Sequence, residues 1–182
     1  MGRSPALSDE ELDPVLADVF GSFRSEGRKP ISLYRHFAHA PTLLAGFHAT
    51  GQAIRYRTAL DRPLVELIIL RLAHLLGSQY EWLHHIAFAR AVGLAEEKIA
   101  AAAEETVPQD ALTDAERAAL RAVDEVHAVA LSDEAFAVLT RFFTMREAAE
   151  IIGIVAHYEA VGRVLQALDV PIEPEYRGRD QA

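Results

Sequence analysis

Glu66, Ser78, Tyr80, Glu81, His84 and His85 are the residues whose types and spacing are suited to proton chemistry. Glu66 stands inside LVELIIL, among Val65, Leu67, Ile69 and Leu70. A carboxylate in such surroundings is desolvated and its proton affinity rises, unless a cation pairs with it. Arg62 and Arg71 lie within reach for that second outcome, in which Glu66 only ties its helix to a neighbour. Glu81 and His85 are four positions apart, hence on one helix face and able to share a proton. Tyr80 and His84 stand beside them at the same spacing. Two plainer readings stay open. Ser78 and Glu81 after Gly77 form the S-x-x-E pattern of a capping box, and His84 and His85 fit equally well as imidazoles facing solvent or an interface.

A metal site is the competing chemistry. Glu81 and His84 make E-x-x-H, Asp124 and His127 make D-x-x-H, and Glu66 with Glu150 would complete a di-iron carboxylate set of the kind held in helix bundles. The chain order departs from the usual alternation and aspartate reaches less far than glutamate, so no metal is expected. His36 and His39, flanking Phe37, read as surface or core-edge residues. His157 and Tyr158 with Arg163 read as packing or bundle-tying groups, and Trp82 as core or interface.

Composition narrows the function classes. The chain has 182 residues with 18 basic and 27 acidic side chains, a formal net charge of −9. Residues 55–62 hold its one arginine-rich stretch, so nucleic acid is not an expected partner. Cysteine is absent. This excludes disulfides, thiolate zinc sites and cysteine nucleophiles. The N-terminal MGRSPALSDEEL lacks the apolar core of a secretory signal. The most apolar window, residues 64–76, carries Glu66, Arg71 and His74 and is short for a bilayer. These features predict a soluble, cytoplasmic protein with no membrane partner.

The elements that must position these groups are all helical, because apolar residues recur near a spacing of 3.6 rather than 2. The pattern predicts a single domain over 1–182, with an N-terminal helical arm over 1–30 and a polar tail over 171–182. Ser8 with Glu11 is a capping box opening a helix to about Phe23. SLYRHFAHA forms a short helix before Pro41, and another runs from Pro41 to about Tyr56. Asp61 caps RPLVELIILRLAHLLG, which is apolar on nearly all sides and belongs in the middle of a bundle or at an interface. SQYEWLHHIAFARAVG follows, closed by Gly93. Further helices start near Ala95, at Thr113 with Glu116, at Ser132, and at Thr144 with Glu147. RPLVELIIL (62–70) aligns with REAAEIIGI (146–154) at an offset of 84, either as a duplicated helical unit or as a chance likeness of Ala-Leu-Glu-rich helices.

RPLVELIILRLAHLLGSQYEWLHHIAFARAVGL resembles the core motif of the carboxymuconolactone decarboxylase and alkylhydroperoxidase D superfamily, in its cysteine-free, YEWxxH form. The likeness extends through LTDAERAALRAVDEV and YEAVGRVLQALDV. In the peroxidase branch a Glu on one helix precedes two cysteines and a His on the next. On this chain those positions fall on Glu66, Ser78, Glu81 and His85. A serine hydroxyl is too weak an acid to replace a peroxidatic thiolate, and a glutamate cannot be oxidised and recycled. The resemblance therefore implies a helical bundle without thiol peroxidase activity, assembled as a homotrimer or homohexamer. It also implies a cofactor-free lyase, decarboxylase-like, on a small carboxylated cyclic or lactone substrate. In that scheme His85 protonates the carbanion, Glu81 orients and charges it, and Glu66 relays protons. Tyr80 or Ser78 donates to the developing oxyanion, and Arg71, Arg90 and His84 bind substrate. The alternative is a non-catalytic helical oligomer or binding protein, in which residues 64–76 with Phe136, Phe142 and Phe143 form subunit interface.

Overall fold

Asp61 accepts the backbone N–H of Leu64 at 2.9 Å and opens helix α4, Arg62–Leu75, with Pro63 in its first turn. The proline ring fixes a helical φ where an N–H would have no partner. Every residue from 64 to 73 in α4 is buried, so this helix is the axis of the molecule. The computed structural model describes residues 3–25, 27–108 and 110–178. Positions 179–182 of the expected polar tail lie outside the described residues.

Around α4 are α1 (Ala17–Ser25), α2 (Ser32–Phe37), α3 (Pro41–Arg57), α5 (Gln79–Ala91), α6 (Glu96–Ala102), α7 (Asp114–His127), α8 (Asp133–Phe142) and α9 (Met145–Leu168). Among the described residues no strand forms. Gly77 at φ +59° turns the chain between α4 and α5, and α5 packs along α4. The Thr113/Glu116 and Thr144/Glu147 capping boxes are both formed.

One expected helix is broken. Ser8 and Glu11 do make their capping box, but it closes only a 3-10 turn, Asp9–Glu11. Pro14 has no N–H and pushes Asp13 to an extended ψ of 136°. The chain restarts as a second 3-10 turn, Pro14–Leu16, leading into α1. The N-terminal arm is thus two turns and a short helix.

The apolar residues form two clusters. The larger joins α4 to α6, α7 and α9 through residues such as Leu67, Leu70, Leu120 and Ile151. Among the described residues, α9 alone has the length and hydropathy of a bilayer span, and its Ala148, Ile151, Ile154 and Val155 belong to this cluster. The smaller cluster joins the arm, α2 and α3 to Tyr80, Val161 and Leu165. The two sequence copies at 62–70 and 146–154 each make an i,i+4 ion pair, Arg62 with Glu66 and Arg146 with Glu150. The Glu66 side chain is fully buried, whereas that of Glu150 is 18% exposed and accepts the Ala59 N–H at 2.8 Å.

Candidate active site

Leaving the middle of α4, the Glu66 carboxylate faces α5. Its Oε2 lies 2.8 Å from Nδ1 of His85, and its Oε1 accepts from Nη2 of Arg62 one turn earlier. Arg62 supplies the cation that a carboxylate in this apolar helix requires. On its far side, His85 Nε2 stands 3.4 Å from Oε2 of Glu81, one turn back along α5. The four groups form one line: guanidinium, carboxylate, imidazole, carboxylate. Burial disfavours charge on His85, but the charge of Glu66 and the hydrogen bonds to Glu66 and Glu81 outweigh it, pushing its pKa up to about 9. The imidazole is therefore a cation at neutral pH, and each of its nitrogens is a donor.

Glu81 and His85 open onto a cavity of about 230 Å³ at the junction of the two apolar clusters. Its walls are largely aromatic, including Phe23, Phe37, Phe47, Phe88, Tyr34 and Tyr158. Tyr158 meets the His85 ring edge-on at 5.2 Å between centroids. Burial, with the charge of Glu81 adding to it, raises the Tyr158 hydroxyl pKa well above the ordinary value. Burial pulls His157 down to about 4, so that imidazole is neutral.

The other expected site residues separate into three groups. Tyr80 and His84 line the same cavity, yet both are tied to the C-terminal segment. The Tyr80 hydroxyl donates to Glu173 Oε1 at 2.9 Å and accepts from the Leu33 N–H at 3.2 Å. His84 Nε2 lies 2.9 Å from Glu173 Oε2, and its ring is stacked between those of Tyr80 and Tyr176. Burial works against charge on Glu173, but the bonds from His84 and from the Ser32 N–H hold its pKa down to about 2. The tail thus folds back over the site.

Ser78 does not line the cavity. Its hydroxyl accepts the Glu81 N–H at 3.4 Å, half of a capping box, and the Glu81 carboxylate turns to His85 instead of closing the other half. Arg71 and Arg90 are corrections to the expected carboxylate-binding residues. Arg71, 1% exposed, clamps Asp124 with bonds of 2.7 and 2.8 Å and also donates to the carbonyls of Ala102 and Glu104. Arg90 pairs with Glu96 at the surface. Neither lines the cavity.

The di-iron set is not assembled. Asp124 is taken by Arg71, His127 pairs with Glu159, and Glu150 pairs with Arg146. Among the described residues no group of three or more acidic or imidazole side chains is arranged to hold a metal. Sequence reasoning passed over Arg55 and Glu173, both distant from the motif. Tyr158, read as packing, belongs to the larger apolar cluster, and its ring also meets that of His85. The available signals were the Gly51–Arg55 spacing and an acid isolated between Ile172 and Pro174.

The carboxymuconolactone decarboxylase family matches residues 41–125. These residues include Glu66, Glu81 and His85. That segment is similar to the family, in a chain without cysteine. The helical likeness to solved structures extends beyond the matched segment. A cysteine-to-alanine variant of the debrominase Bmp8, in complex with 2,3,4-tribromopyrrole, is similar at 25% identity and a TM-score of 0.80, covering 97% of this chain and 94% of that one. A peroxidase-related protein from Ralstonia eutropha, described as an alkylhydroperoxidase AhpD core, superposes with a TM-score of 0.84 at 18% identity, covering 96% and 94%. Another peroxidase-related protein, from Silicibacter, gives 0.74 at 19%, covering 96% and 95%. The last two likenesses show the fold alone. No curated protein matches the chain in sequence.

Proposed function

We propose that the chain is a cofactor-independent acid/base enzyme, a carbon–carbon lyase of decarboxylase type acting on a small carboxylated cyclic or lactone substrate. The observation that carries this reading is the Arg62–Glu66–His85–Glu81 line ending in an aromatic-walled cavity. A cavity of about 230 Å³ lies below the roughly 300–1,000 Å³ of pockets that take drug-sized ligands. The debrominase was captured with a small flat ring, a ligand of the size that suits such a hollow. The thiolate route is closed to this chain, which has no cysteine.

The chemistry follows from the two ends of His85. Its Nδ1 is held by Glu66 in a bond of ordinary length, while the Nε2 contact with Glu81 is long. The proton on Nε2, beside the cavity, is the one available for transfer. When a substrate carboxylate leaves as carbon dioxide, the electron pair of the broken carbon–carbon bond moves into an adjacent carbonyl as an enolate. His85 then gives its Nε2 proton to carbon, and neutral His85 takes a proton from solvent by way of Glu81. Glu66 and Arg62 act as positioning residues: they fix the ring and hold it charged. The aromatic wall excludes water, which strengthens the imidazolium–enolate attraction.

The test is turnover of cyclic β-keto acids and unsaturated carboxylated lactones in deuterated water, followed as carbon dioxide release and deuterium at carbon. Removing a proton donor costs about 10²–10⁴-fold. Glu81→Gln and His85→Ala are expected to lose turnover on that scale while staying folded. Full turnover in both variants overturns the roles given to Glu81 and His85, and no turnover by the wild type leaves the helical oligomer or binding protein in place of the enzyme.

A further inference from the structure

The cavity contains a cation that the proton-transfer line does not use. Arg55, near the end of α3, lines the hollow together with Glu81 and His85. Its position depends on a missing side chain. A Cβ at Gly51, one turn earlier, would come within 3.3 Å of Arg55 Nη1 and 3.6 Å of His157 Nε2. Glycine leaves that space to the guanidinium.

The charge of Arg55 acts on the Tyr34 hydroxyl, which lies 3.1 Å from His48 Nδ1. The Arg55 carbonyl accepts from Arg62 Nη1 at 3.0 Å, which joins the end of α3 to the start of α4. Arg62 is neutralised by Glu66. Among the described residues, the ion pairs formed by arginine do not include Arg55. With Arg62 matched to Glu66 and His85 to Glu81, the charge of Arg55 is left over in a largely apolar hollow. A half-buried cation in such a place calls for an anion. The charges of Glu81 and Arg55 both act on His157 and Tyr158, so the proton-handling pair and the guanidinium face one space.

We infer that Arg55, seated over Gly51, binds a carboxylate of the ligand, and that this carboxylate is a handle retained through the reaction rather than the group expelled. The second part follows from transition-state logic. A carboxylate paired with arginine is stabilised before reaction and loses that attraction as it becomes carbon dioxide, so Arg55 would slow its departure. The substrate class becomes a flat ring acid with an anionic handle at Arg55 and its reacting carbon toward Glu81 and His85. This rests on the acid/base reading above, which concerns the other end of the cavity.

Titration calorimetry of the full chain with benzoate and with benzamide, its neutral isostere, tests the inference. Benzoate is expected to bind and to bind more tightly than benzamide. Arg55→Gln is expected to weaken benzoate by about tenfold to a hundredfold, the scale of a lost charge-assisted bond, and to leave benzamide within about twofold. Gly51→Ala keeps the charge but displaces the guanidinium, and is expected to weaken benzoate in the same direction. Equal benzoate affinity in wild type and Arg55→Gln, or no binding to wild type, overturns the carboxylate seat. Turnover surviving in His85→Ala would defeat the acid/base reading while leaving the seat intact.

Discussion

His85 Nδ1 lies 2.8 Å from Glu66 Oε2 across the α4–α5 contact, and this bond sets the charge and orientation of the imidazole. Replacing Glu66 by Gln removes a charge and keeps the shape. The His85 pKa, raised to about 9, is expected to fall by about one to two pH units. NMR titration of the imidazole measures it, and the alkaline limb of any turnover profile should move down in parallel. An unmoved titration would show that Glu66 does not control the ring.

The same raised pKa makes a stability prediction. In the unfolded chain a histidine titrates near 6.5, so the folded state holds the His85 proton more tightly. Its contribution is fully present below about pH 6.5, declines above it, and is gone beyond about pH 9. Urea unfolding at about pH 6 and about pH 9.5 should differ by an amount on the order of 3 kcal/mol, and His85→Gln should abolish most of that difference. Equal alkaline losses in both proteins would refute the assignment.

Arg71 provides a structural control. Its side chain is 1% exposed and its partner Asp124 about one-third exposed. Arg71→Ala leaves Asp124 and two carbonyls without their donor and opens a hole in the α4–α7 contact. An expected cost of about 3–5 kcal/mol in denaturant unfolding follows. Turnover per folded molecule should be unchanged, since Arg71 lies away from the cavity. Loss of chemistry in a folded Arg71→Ala protein would contradict its placement.

Glu173 is the fastening of the tail. Glu173→Gln retains a side-chain carbonyl but loses the charge that His84 and the Ser32 N–H share. The expectation is faster hydrogen exchange and proteolysis within 171–178, with global stability changed by about 1 kcal/mol or less. Low pH should do the same to the wild type: the stabilisation is present above about pH 4.5 and lost as pH falls through about 2.

The helices were largely readable because their start signals are local. Asp61, Thr113, Ser132 and Thr144 each bond the backbone N–H three residues on, and each helix begins there. Ser8 misled for a reason equally local: Pro14 cancels what the capping box proposes. Glu66, Glu81 and His85 were readable because a polar group inside an apolar helix stands out, and helical spacing put two of them on one face. The arginines were not. Arg71 and Arg90 are near the motif in sequence, but which of several arginines reaches a cavity depends on how α3 lies against α5 and on a glycine one turn away. Glu173 was hidden similarly, because a polar tail carries no periodicity to indicate where it docks.

The wall of the hollow is drawn from two stretches of sequence. Glu66, Glu81 and His85 fall within 41–125, the segment that matches the family, as do Phe47 and Phe88, whereas Phe23, Tyr34, Phe37, Tyr158 and Tyr176 lie outside it. Exchanging the arm and tail would therefore reshape part of that wall and leave Glu66, Glu81 and His85 untouched.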